Sequence, residues 1–99
     1  MSIKANFAIP IHPGTVLKEM LAENGVSQRK LAEHLKVDPS KINEICKGRR
    51  GISADMAVAI GRVFNQSPEL FMNLQKNWEL SQIDIHKYDW VEQMEKKAT

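Results

Sequence analysis

The amino-acid sequence predicts an all-α chain of five helices. Cap residues of one chemistry recur at four successive starts: Ser27, Asp38, Ser53 and Ser67. Between those starts the apolar residues repeat at helical spacing, and Gly25 and Gly48 fall just past two of the stretches. "HPGTVLKEMLAENG" places Pro13 at a helix start, with Val16, Leu17, Met20 and Leu21 on one face. "SQRKLAEHLKV" follows, with Leu31, Ala32 and Leu35 facing inward. "DPSKINEICKG" has Pro39 at its first helical position and Ile42, Ile45 and Cys46 apolar. "SADMAVAIGRVFN" carries Met56, Ile60, Val63 and Phe64. "SPELFMNLQKNWEL" carries Leu70, Phe71, Leu74 and Trp78 on one stripe. Beyond Leu80 the pattern weakens: residues 84–95 could form one more helix, or "IDI" a short strand. The organisation expected is an N-terminal extended arm (1–11), one helical domain (12–80) and a C-terminal extension (81–99).

Ninety-nine residues suit one domain, with the ordinary globular composition of 42% hydrophobic and 26% charged residues. No apolar run approaches the roughly 18 residues a membrane span needs. The first residues lack the charged-then-apolar order of a signal peptide. The one cysteine, Cys46, lies on an apolar stripe and reads as a core thiol. A cytoplasmic protein is expected. His12, His34 and His86 are scattered, no glycine-rich phosphate loop is present, and no spacing suits a metal. No catalytic residue, metal or cofactor is therefore expected.

Net charge is only +2, but it is unevenly spread. Residues 27–50 hold seven Lys/Arg against three Asp/Glu, a net +4, while residues 51–99 are at −2. A basic middle suits a polyanion on one surface, although a solvated face would read the same way.

Two short helices joined by a few residues form a helix-turn-helix, and residues 28–47 meet its demands. Ala32 is small where the helices touch, and Leu31, Leu35, Ile42 and Ile45 supply the core behind them. The turn "KVD" buries Val37 and caps the second helix through Asp38. Such a unit puts the start of its second helix into the major groove. Ser40, Lys41, Asn43 and Glu44 stand there. Lys41 can reach guanine acceptors, Asn43 can pair with adenine and Glu44 can accept from cytosine. Gln28, and beside it Arg29, open the first helix of the pair where a phosphate can be met. Lys47, Arg49 and Arg50 lie just past the reading helix, in "KGRRG", placed to hold a DNA backbone rather than to read sequence. An exposed polar helix face is the plainer alternative.

"SQRKLAEHLKVDPSKINEICKGRRGIS" resembles the XRE/Cro-type helix-turn-helix of phage and bacterial repressors, with a lambda-repressor-like fold. His12-Pro13-Gly14, Gly48–Ile52, Ser67-Pro68-Glu69 and Asn73-Leu74-Gln75, in that order over residues 12–80, resemble the HigA/VapI antitoxin family. The resemblance implies an antitoxin of a type II system. It would bind double-stranded operator DNA, repress its own operon and neutralise a HigB-type, RelE-like mRNA-cleaving toxin. The DNA contacts implied are Gln28, Ser40, Lys41, Asn43 and Glu44. Two departures stand out. Lys36 occupies a turn position where glycine is common, at a cost of about 1 kcal/mol if φ is positive, so the turn is expected to differ slightly. Leu70-Phe71-Met72 replaces a common phenylalanine–tryptophan pattern.

A monomer of this size reads only about four to six base pairs, so a homodimer is expected. Its surface should come from the fifth helix and tail: Phe71, Leu74, Trp78, Ile83, Tyr88 and Trp90. Alternatively, Leu74 and Trp78 simply close the monomer core. The acidic later helices, or the arm "IKANFAIPI", could dock a basic toxin. A stand-alone repressor and a protein-interaction module on the same fold remain alternatives.

Overall fold

A computed structural model describes residues 10–95. Five α-helices follow one another: α1 (Pro13–Asn24), α2 (Gln28–Leu35), α3 (Pro39–Cys46), α4 (Ala54–Phe64) and α5 (Pro68–Ser81). Among the described residues there is no strand, and the last regular element is a short 3₁₀ turn, Ile85–Tyr88. Most of the expected arm, residues 1–9, lies outside the described residues.

Each expected cap is formed. Ser27 accepts from the Lys30 N–H, Asp38 from Ser40, Ser53 from Met56 and Ser67 from Glu69. These bonds satisfy amides that a helix start leaves unpaired. Lys36 closes α2 at φ 59°, ψ 41°. It takes the conformation glycine would take, so the turn keeps its left-handed geometry and the chain carries the strain.

Leu17, Leu31, Ala32, Ile42, Ile45, Ala57, Ile60 and Phe71 form the centre of one core, each no more than 1% exposed. Cys46 borders it, and burial raises its thiol pKa, as for an inert core residue. Two glycines permit close approaches. A Cβ on Gly14 would fall 1.8 Å from the Ile45 carbonyl oxygen, and one on Gly61 2.4 Å from that of Gln66. Gly14 thus lets the start of α1 rest on the end of α3.

Beyond α5 neither alternative, a further helix over 84–95 or a short strand at "IDI", forms among the described residues. Only Ile85–Tyr88 coils, and residues 91–95 are irregular. Ile83, Ile85, Tyr88, Trp90 and Val91 are all more than half exposed. A helix this short depends on packing for its stability, and no apolar face of the domain receives it. No described helix is long and apolar enough to cross a membrane.

Candidate nucleic-acid interface

The basic and polar residues singled out from the sequence gather on α2, α3 and the loop that follows. Ala32, fully buried, brings α2 and α3 together. Gln28, at the first turn of α2, then faces α3: its Oε1 accepts a hydrogen bond from Asn43 Nδ2 at 3.0 Å. The bond orients the two half-buried amides against each other. Ser40 is exposed and Lys41 half-buried on the first turns of α3. Arg29 is open to solvent, with only a long 3.9 Å contact to Glu33. Such an exposed pair contributes little and leaves the guanidinium free for a ligand.

Sequence position suggests separate roles for Glu44 and Arg50, one reading a base and one gripping phosphate. In the structure the two side chains also meet each other. Arg50 Nε donates to Glu44 Oε1 at 3.0 Å. The pair uses one oxygen of the Glu44 carboxylate and is itself half exposed, with both residues within reach of a ligand.

The loop after α3 is shaped from both ends. Gly48 adopts φ 76°, a left-handed conformation that costs glycine nothing. The amides of Arg49 and Arg50 both donate to the Glu44 carbonyl, at 2.9 and 3.3 Å. Lys47, Arg49 and Arg50 are left exposed. Lys47 and Arg49 also share an open cleft with Lys18 of α1, walled by His12, Cys46 and Trp78, and among the described residues no carboxylate lines it. Three cations around one cleft, at the C-terminal end of α3, suit a run of phosphates.

A helix-turn-helix domain family matches residues 14–77. The virulence-associated protein I of Dichelobacter nodosus is 40% identical over 90 residues, covering 88% of this chain and 83% of that protein. The chain belongs to the helix-turn-helix family of HigA- and VapI-type proteins. Among solved structures it is similar to the Pseudomonas aeruginosa antitoxin HigA with the higBA promoter (43% identity, TM-score 0.70, covering 81% of this chain and 84% of that one). It is also similar to a Pseudomonas aeruginosa protein in complex with its 18-base-pair operator DNA (38% identity, TM-score 0.75, covering 87% and 98%). The helix-turn-helix family and its fold are not enzymatic.

Within this HigA- and VapI-type chain, the dimer residues expected from sequence divide. Phe71 is fully buried in the monomer core, so it belongs to no dimer surface. Leu74 and Trp78 are half-buried. Trp78 packs edge-on to His12, with ring centroids 5.3 Å apart at 77°. Tyr88 and Trp90 stay exposed.

Two residues that the sequence marks only by family resemblance have roles here that the sequence does not assign. One is Gln75 of α5, which bonds to the Ile52 amide just past the loop. The other is His12, whose place before Pro13-Gly14 reads as a plain turn. It is the N-cap of α1: its Nδ1 accepts the Gly14 N–H at 2.9 Å, so that nitrogen carries no proton. Burial lowers its pKa below the usual 6.5. Protonation would set a donor against a donor and release the cap. The unfolded chain takes up the proton first, so the stability tied to the neutral ring is complete above about pH 6.5 and drains away as pH falls through the lower folded value. Thermal midpoints should therefore drop below about pH 6.5. A His12→Asn variant, which caps without titrating, should be less stable at pH 8 but show a flatter acid limb in the same melts.

Proposed function

We propose that this protein is a sequence-specific DNA-binding antitoxin that represses its own operon as a homodimer in the cytoplasm. The observation that carries the reading is the joint placement of Ser40, Lys41 and the Gln28–Asn43 amide pair at the start of α3, flanked by exposed Arg29, Lys47 and Arg49. Polar groups at the helix start read bases, and the surrounding cations hold phosphates. The similarity to HigA with its promoter supports the same reading.

The homodimer is supported by the exposed apolar side chains at the end of the chain. Leu80, Ile83, Ile85, Tyr88, Trp90 and Val91 are each at least half exposed. So much apolar area in one segment favours a partner. Two copies joined there would place two reading helices on half-sites one helical turn, or a multiple of it, apart. Sedimentation showing a monomer at tens of micromolar would overturn this part.

The partner proposed for neutralisation is a HigB-type, mRNA-cleaving toxin. A protein that grips RNA is basic, and residues 51–99 carry a net −2, which favours its approach away from the basic reading face. With the reading face left free, toxin and operator are expected to bind together. The test is titration of the product of the neighbouring gene onto the protein–operator complex, followed by mobility shift and mass. A ternary complex is the expected result. Release of DNA at one toxin per antitoxin would show that the surfaces overlap. No binding by any neighbouring product would favour a stand-alone repressor.

A further inference from the structure

Gln75 is an amide in a place where helical spacing asks for an aliphatic side chain. It lies one turn after Phe71 on α5 and is 8% exposed. Both ends of its amide are used. Oε1 accepts the Ile52 N–H at 2.8 Å inside the protein, and Nε2 donates to Glu79 Oε2 at 2.8 Å. The amide also packs on the loop backbone, for a Cβ on Gly51 would lie 2.7 Å from Nε2 and 2.9 Å from Oε1. Glu79 orients the amide, the amide holds Ile52, and Ile52 is itself 3% exposed in the core.

The segment held this way carries Arg49 and Arg50. Its entry is tied to α3, through the two amides that donate to the Glu44 carbonyl. Its exit is tied to α5 through Gln75, from outside the helix-turn-helix. Without the second tie, the residues between Gly48 and Ile52 could swing about the glycines at 48 and 51. A cation that must be ordered when DNA arrives binds more weakly than one already in place.

We infer that Gln75 is a positioning residue for the phosphate grip: it fixes the loop that carries Arg49 and Arg50 and so sets DNA affinity without touching DNA. The inference rests on the DNA-binding reading above and names a determinant of affinity within it.

The test uses the full chain and DNA from upstream of its own gene. Gln75→Met keeps the bulk of the side chain and removes the acceptor. Combining Gln75→Glu with Glu79→Gln restores an acceptor for Ile52 and reverses the donor between the two helix positions. Gln75→Met should weaken binding roughly tenfold at physiological salt and flatten the salt dependence by about one unit, the change expected when one phosphate is no longer neutralised. The paired swap should recover most of both. In a background that already carries Arg49→Ala and Arg50→Ala, Gln75→Met should cost almost nothing more, because the groups it positions are gone. An equal loss in both backgrounds would mark a general structural effect and overturn the inference, as would unchanged affinity. Amide exchange in the free protein keeps this separate from the DNA-binding reading. If wild type shows no salt-dependent DNA binding, that reading fails. If Ile52 and the loop then exchange no faster in Gln75→Met than in wild type, the positioning role fails as well.

Discussion

Gly14→Ala should lower the thermal midpoint by roughly 10–20 °C, near the upper end of what overpacking does to a domain this small. The added carbon would sit 1.8 Å from the Ile45 carbonyl oxygen and 3.1 Å from the Cys46 Cα. Both neighbours are backbone atoms of α3 and cannot turn aside as a long side chain would. Relief requires α1 to lift off α3, and Leu17 and Ile45, both within 1% of complete burial, would be uncovered with it. Gly25→Ala is the matched control. Gly25 has φ 64°, but a Cβ there would meet nothing within 4 Å. Its replacement costs about 1 kcal/mol of backbone strain alone, a shift of roughly 4–8 °C. Melts followed by circular dichroism separate the two. A Gly14→Ala loss no larger than that of Gly25→Ala would mean that α1 and α3 are not tightly clamped at this point.

The contrast between those glycines also explains what is legible in the sequence. Gly25 stops a helix, a local event announced by the chain around it, and every serine or aspartate cap is local in the same way. Gly14 looks like part of a helix start because its reason for being small lies 31 residues away, at Ile45. Gln75 is hidden for a similar reason. A signal does exist, since Phe71, Gln75 and Trp78 share one helical stripe, and a glutamine between two aromatics on a core face needs a buried partner. That the partner is the Ile52 amide emerges only from the fold. The C-terminal extension fails in the opposite direction. Its apolar residues fit a helix or a strand only loosely, and without a surface to pack on neither forms. Phe71 reads as a dimer residue because the sequence does not say how much apolar area one small core can take up; this core takes it up completely.

The reading face and the gripping loop should separate cleanly in binding experiments. Arg49→Ala and Arg50→Ala should weaken binding to every DNA sequence alike and flatten the salt dependence by about one unit for each phosphate no longer held. Asn43→Ala should cost roughly 1–3 kcal/mol on the operator and relax one base position, with little change in salt dependence. Two structural details sharpen this. Because Asn43 donates to Gln28 Oε1, Gln28→Ala frees the Asn43 amide to turn, and the two substitutions together should cost less than their sum. Because Glu44 holds Arg50, Glu44→Ala removes a negative charge beside the phosphate path and releases the guanidinium. It should tighten binding to unrelated DNA and steepen its salt dependence, where a base-reading glutamate would have lost operator affinity and spared the rest. Binding to a randomised operator library at two salt concentrations measures all of these at once. Altered base preference in the Arg49 and Arg50 variants, with none in Asn43→Ala, would reverse the assignment of roles. Loss of operator selectivity in Glu44→Ala would return that residue to the bases, with its bond to Arg50 broken on binding.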